Sequence, residues 1–138
     1  MEIKVKEIID AYRVLKEVKV NSLSSEAAIG VWKDLKTMRP ICKDYDETVD
    51  EMRESFNDDT FKENQKKANQ LSKEGKGSET LDKYFRELNE KFNKFIQDEL
   101  DKTVDIELEH ISEDELIKAV ASTNLNFDSL NMLEIIIK

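Results

Sequence analysis

The chain has 138 residues, of which 38% are apolar and 38% charged, with a formal net charge of −9. That length suits one domain, the apolar pattern is too regular for disorder, and the acidic balance argues against a whole-surface grip on nucleic acid. A single cysteine excludes an internal disulfide, and no apolar run approaches the roughly 18 residues of a membrane span.

Residues 1–5 alternate, with Met1, Ile3 and Val5 set against Glu2 and Lys4, which predicts a short edge strand. The same start lacks the apolar core of a signal peptide, and the single cysteine, with no disulfide to form, makes a reducing cytoplasm the expected location. From Val5 the period changes. Val5, Ile8, Tyr12 and Leu15 share one helical face, with Ile9 and Val18 beside it, and a first helix is expected over 5–20. Asn21 to Ser25 then offers several N-caps, and Glu26 adds charge of the favourable sign to the next first turn.

The second helix is expected over 24–72. Counted in sevens from Ala28, the first heptad positions are Ala28, Leu35, Cys42, Val49 and Phe56, and the fourth are Val31, Met38, Tyr45 and Met52. This is a coiled-coil-like seam, buried along its length against other helices. Trp32 and Ile41 flank it and are expected to widen the apolar stripe. Pro40 falls on the outward side, where a kink leaves the seam's direction intact. Asn57-Asp58-Asp59 marks a possible break, after which Thr60 to Glu63 has capping-box spacing. Lys73 to Ser78, with two glycines, is the clearest turn.

A third helix is expected over 79–101, because Leu81, Phe85, Leu88, Phe92 and Phe95 alternate spacings of four and three. The glycine-rich turn folds it back on helix two as an antiparallel hairpin. Beyond Lys102 the period becomes two, and a strand is expected over about 104–110. Ser112 to Glu115 is a capping box for a short helix, and 127–137 reads as a last helix whose Ile135-Ile136-Ile137 run also suits a strand. At the helical rise, helix one is roughly 24 Å long, helix three roughly 32 Å and helix two about 50 Å or more. The start of helix one and the end of helix three should then meet, which pairs residues 1–5 with the 104–110 strand. The fold expected is mainly α: a single domain built as a three-helix bundle or antiparallel hairpin, with a small α/β appendage over 103–138.

Candidates for chemistry are few. His110 is the one histidine and has no acid, base or nucleophile at a defined spacing, so it reads as a surface residue. Cys42 sits on the seam and reads as a buried apolar thiol. The carboxylates from Asp98 to Glu115 have no glycine among them for a calcium loop and read as a solvated face. Lys62, Lys66, Lys67, Lys73 and Lys76 cluster near the turn without arginine or a phosphate-binding glycine motif, and read as a solvated hairpin tip. No catalytic residue, metal or cofactor is expected, and neither is membrane insertion or direct nucleic-acid binding.

The chain resembles a family of small proteins of unknown function encoded by tailed bacteriophages and prophages. The likeness lies in the start Met1-Glu-Ile-Lys-Val-Lys-Glu-Ile-Ile-Asp-Ala11, the long charged hairpin, the segment Val104-Asp-Ile-Glu-Leu-Glu-His-Ile-Ser112 and the Leu-rich end. It implies a phage origin and a role in the cytoplasm of an infected bacterium, with no active site to carry over.

The function expected is non-catalytic protein binding, as an assembly accessory acting through helical surfaces, with a homodimer or an unidentified protein as partner. The candidate contact residues are Tyr45, Met52, Phe56 and Phe61 on the seam and Asp105, Glu107 and Glu109 on the acidic strand. Two other readings are a counter-defence inhibitor, whose acidic surface blocks a host nucleic-acid-binding or defence protein, and a sponge for a small signalling nucleotide.

Overall fold

The computed structural model describes residues 1–138 and is mainly α, with one two-stranded antiparallel sheet. Backbone contacts group it into two compact units, Met1–Asp44 with Leu100–Lys138 (unit 1) and Tyr45–Glu99 (unit 2).

In unit 1, β1 (Glu2–Lys4) pairs antiparallel with β2 (Thr103–Asp105), in the register Glu2 to Asp105, Ile3 to Val104 and Lys4 to Thr103. The Val5 N–H donates to the Lys102 carbonyl at 2.8 Å and the Ile106 N–H to the Met1 carbonyl at 3.1 Å, which extends the ladder at both ends. The expected strand over 104–110 is shorter than its alternation suggested. The register sets Asp105 against Glu2, and the ladder's last hydrogen bond on that side is from the Ile106 N–H to the Met1 carbonyl, so β2 ends at Asp105. The inside–outside alternation nevertheless continues to Leu108, which is buried.

Helix α1 (Val5–Glu17) opens with the Lys4 N–H donating to the Glu7 carboxylate at 3.3 Å. It ends three residues before the expected Val20. Val18 leaves the helix in an extended conformation and stays buried, consistent with the β-branched pair Val18 and Val20 around Lys19. A 3₁₀ turn, Val20–Ser22, leads to α2 (Ser25–Ser55). Its N-cap is Ser24, whose hydroxyl accepts from the Ala27 N–H at 3.2 Å. The helix is continuous through Pro40, which is exposed, as its place outside the seam requires.

Two sequence expectations for α2 are corrected. Trp32 does not widen the buried stripe: it is 60% exposed, with the Lys36 ammonium 5.1 Å from its ring centre. In unit 1 the buried stripe runs through Ala27, Val31, Asp34, Met38 and Cys42: the seam positions Val31, Met38, Cys42 and, farther on, Val49 are buried, while Ala28, Leu35, Tyr45 and Met52 are only half-buried. A carboxylate lies within it.

The C-terminal part of unit 1 contains α5 (Glu113–Ala121), α6 (Phe127–Met132) and a 3₁₀ turn, Glu134–Ile136. The capping box expected at Ser112 does not form. Ser112 makes no side-chain cap, and the Glu115 carboxylate instead accepts from the Ser24 N–H at 2.9 Å, joining the start of α5 to the start of α2. The last helix stops at Met132 rather than Ile137. Ile137 then forms a parallel bridge with Ile111: the Ile111 N–H donates to the Ile136 carbonyl at 2.7 Å and the Lys138 N–H to the Ile111 carbonyl at 3.0 Å. The β-branched run thus divides between a tight turn and an extended end. The core of unit 1 is fully enclosed, with Ile8, Leu15, Met38, Leu116, Leu133 and Ile136 each less than 2% exposed.

Gly30 lies on α2 against the 106–111 segment. A Cβ there would meet Ile111 Cγ1 at 3.4 Å and Glu109 Cβ at 3.8 Å, which is ordinary contact. Gly30→Ala is therefore expected to stabilise the chain by about 0.5–1 kcal/mol through helix propensity alone. Gly30→Leu should destabilise it, because its branched end has to displace Ile111. Urea midpoints of both variants check this.

Unit 2 consists of the end of α2, then α3 (Asp59–Lys73) and most of α4 (Glu79–Asp101). The single long helix expected over 24–72 is broken at 56–58, the stretch already marked as a possible break. The Asp58 carboxylate accepts from the Phe61 N–H at 2.8 Å and starts α3, in place of the expected Thr60 to Glu63 capping box. At the other end Gly75 has φ +70, the Lys76 N–H donates to the Leu71 carbonyl and the Gly75 N–H to the Ser72 carbonyl. This is a Schellman stop, and it explains why glycine follows the helix here. Ser78 then caps α4 by accepting from the Leu81 N–H at 3.3 Å.

Candidate functional site

An antiparallel packing of aromatic rings organises unit 2. Phe61 meets Phe85 edge-to-face at 6.0 Å between ring centres, and Phe56 meets Phe92 at 6.1 Å. The Arg53 guanidinium lies 5.5 Å from the centre of the Phe92 ring. Because α2 breaks between these two ring pairs, the helices do not close over them. They leave a groove of about 550 Å³ with Phe56, Phe61, Phe85, Leu88 and Phe92 as its apolar lining. Arg53, Glu54, Asn57 and Asn89 supply polar groups at the same groove. A concave apolar surface with a few polar groups is what recognition sites share.

The packing of this unit is thin. Neither α3 nor α4 buries a single residue, and Val49 is the one buried side chain in the whole of 45–99. Two helices side by side cover only one face of each other's seam, so Leu71, Leu81, Tyr84, Phe85, Leu88 and Phe95 all stay half-buried.

No family model, curated protein or solved structure matches the chain. The functional reading therefore rests on the placement of its residues. Of the seam candidates, Phe56 and Phe61 come together in the groove. Tyr45 and Met52 are half-buried and line none of it.

The acidic candidates lie in unit 1. The Met1 ammonium reaches Asp105 at 2.7 Å and Glu107 at 3.1 Å, and these hydrogen bonds, Asp105's first, hold the ammonium above its ordinary pKa. Both carboxylates are highly exposed, so the pairs contribute little stability. They do offset the like-charge pairing of Glu2 with Asp105 across the sheet. Glu109 points its carboxylate at Lys33, 3.8 Å away. The acidic edge is thus partly neutralised by cations of this same chain.

The residues singled out for chemistry are dispersed. Cys42 is buried, while His110 is exposed beside Glu26, Glu115 and Lys138 in a shallow depression of about 190 Å³. No three His, Cys, Asp or Glu side chains gather in a metal-holding group. Lys66 and Lys67 line a shallow groove with Asn64, Gln70 and Ser78, but no aromatic ring lies there to stack a base, and Lys67 is paired with Glu63 at 3.3 Å. No helix is long and apolar enough to cross a membrane.

Sequence reasoning missed Asp34. It is 1% exposed, its Oδ1 accepts from the Glu109 N–H at 2.7 Å, and its Oδ2 is buried without a hydrogen-bond partner. Burial pushes its carboxyl up to about 7; the Glu109 N–H opposes this and the Glu109 carboxylate adds to it. Its steps of three from Val31 and four to Met38 place it on the inner face, a signal legible in the sequence alone.

Proposed function

We propose that the chain is a non-catalytic protein-binding protein that engages its partner through the aromatic groove of unit 2. The observation that carries this is the half-buried seam: a row of phenylalanine and leucine side chains that its own two-helix layer covers only in part, with the groove at its centre. Phenylalanines in a concave site suit anchoring residues from a partner helix, and Arg53, Glu54 and the two asparagines fit a polar rim. Origin in a tailed phage and action in the cytoplasm of its host, which the resemblance implies, belong to the same reading.

The counter-defence reading has less support. It depends on an open acidic face, and Asp105, Glu107 and Glu109 spend part of their charge on Met1 and Lys33.

Lysine-directed cross-linking in producing cells, with the sites mapped by mass spectrometry, tests the proposal. Cross-links to the partner should fall on Lys62, Lys83 and Lys91 of unit 2. Phe61→Ala should reduce them about tenfold or more, the loss of one buried aromatic anchor, while leaving helicity intact. Cross-links confined to unit 1, or unchanged by Phe61→Ala, would refute the groove as the docking site.

A further inference from the structure

The exposed face of α2 in unit 1 is opposite in sign to the chain that carries it. At about 100° per residue, Ile29, Trp32, Lys33, Lys36, Arg39 and Lys43 fall within one side of the helix, and all of them are exposed. No carboxylate interrupts this stripe. The one acid between Ile29 and Lys43 is Asp34, which is buried on the inner face. A row of cations thus stands on a molecule whose net charge is −9. Ile29 and Trp32, 54% and 60% exposed, form its apolar end. From Ile29 to Lys43 the stripe runs about 21 Å at the helical rise.

Acids bound it. Glu26 precedes the stripe and Asp44 follows it, both exposed, and Glu109 stands beside Lys33 at 3.8 Å. These limits decide which anionic partner fits. A nucleic acid or an anionic membrane is negative over its whole length, so it runs off the stripe onto carboxylates. Single-stranded nucleic acid also needs rings on which successive bases stack. Trp32 is the one ring on the stripe, and the Lys36 ammonium already lies 5.1 Å from its centre. A protein can instead place acids over the stripe alone. The cations repeat every three or four residues, which is the repeat of side chains along a second helix laid beside α2. The contact of Lys33 with Glu109 does not block this, because both side chains are more than half exposed and such a pair contributes little.

We infer that the stripe is a second docking surface, and that its occupant is an acidic amphipathic helix of a partner protein. That helix carries acids three and four residues apart and an apolar side chain that covers Ile29 and Trp32. The surface lies wholly within unit 1, and it is independent of the aromatic groove in unit 2. Trp32 is its anchor, tryptophan being a favoured residue at binding hot spots. The cations fix the register of the partner and reject one of the wrong sign.

Trp32 is the one tryptophan, so its emission reports binding at the stripe itself. The probe is a synthetic helix of about 15 residues, enough to span the stripe, with glutamates three and four apart and leucines at one end. Titrated into the full chain, it should shift the emission to the blue and bind about tenfold or more tighter than a scramble of the same composition. Lys36→Glu with Arg39→Glu should weaken it about 100-fold, because both contacts turn repulsive, whereas Arg39→Lys keeps the charge and should leave most of the binding in place. All of these side chains are exposed, so helicity by circular dichroism should hold in every variant. Phe61→Ala, which alters the groove of unit 2, should leave the titration unchanged.

A chain that fails to bind the acidic helix overturns the inference, as does binding that leaves the Trp32 emission unmoved or that the scramble equals. Tighter binding of oligo(dT) or of phosphatidylserine vesicles overturns it too, and makes the stripe a nucleic-acid or a membrane contact. A titration lost in Phe61→Ala does the same, since the probe then sits in the groove.

Discussion

Leu116→Ala is expected to destabilise unit 1 by about 2–5 kcal/mol, while Leu88→Ala in unit 2 should cost roughly half as much or less. Leu116 is wholly enclosed in α5, a helix that packs on α6 and on the Val20–Ser22 turn. Removing its branched end leaves a cavity whose walls are held by other fully buried side chains, Leu133 and Ile136 among the core, so the site has little room to collapse. Leu88 is only half-buried at the rim of an open groove, and truncation there removes contacts without making a sealed void. Thermal unfolding of the two variants against the wild type checks the contrast. Equal losses would mean that the half-buried seam of unit 2 is covered in solution. Repeating the Leu88 measurement on dilution then becomes informative, because a seam sheltered by a second copy should show its larger cost only where the dimer persists.

That contrast also marks how far sequence patterns reach. The 4–3 spacing of Leu81 to Phe95 gave the third helix its expected span, and α4 is observed as Glu79–Asp101. Helix lengths place residues 1–5 beside the strand after Lys102, and β1 pairs with β2 there. These succeed because periodicity and rise per residue are properties of the local chain. The corrections share a different cause. Glu115 looks like a local cap for α5 and instead caps nothing there, because the Ser24 N–H, 91 residues away, claims it. The strand expected to continue past Asp105 ends there because its register sets Asp105 against Glu2, the first residue of β1. Trp32 reads as core because it is large and apolar, and it faces solvent because its angular position lies off the stripe. The groove itself was half legible. Phe56 and Phe61 stand out in the sequence, but their pairing with Phe92 and Phe85 depends on where α2 breaks and how the hairpin turns.

Asp34→Asn is expected to abolish a pH dependence of stability that the wild-type chain shows between about pH 4 and pH 7. In the unfolded chain this carboxyl titrates near its ordinary 3.8; in the folded chain burial raises it to about 7. Between those values the folded protein holds a proton that the unfolded chain has released. Stability from this group is therefore greatest at the acid end of the window, falls as pH rises through it, and is flat above about pH 7. At roughly 1.4 kcal/mol per unit of separation, the full swing is on the order of 4 kcal/mol.

The groups facing Asp34 fix the sign. The Glu109 N–H favours the charged form, the Glu109 carboxylate disfavours it, and Lys33 answers Glu109 at 3.8 Å rather than Asp34. Asparagine keeps an oxygen for the Glu109 N–H at the same place and carries no charge to desolvate, so above pH 7 the variant should be the more stable protein by roughly 2–4 kcal/mol. Below pH 4 the order should reverse or vanish, since both side chains are then neutral and the amide brings a second donor into a site that left Oδ2 without a partner. Urea midpoints for both proteins at pH 4, 5.5 and 8 measure this directly. A stability difference independent of pH would mean that Asp34 stays ionised throughout and that its environment is wetter than its 1% exposure implies. A buried acid tied to the 106–111 segment by one short hydrogen bond thus makes the attachment of that segment to α2 tighter in acid than at neutral pH, and amide exchange at Glu109 should follow the same curve.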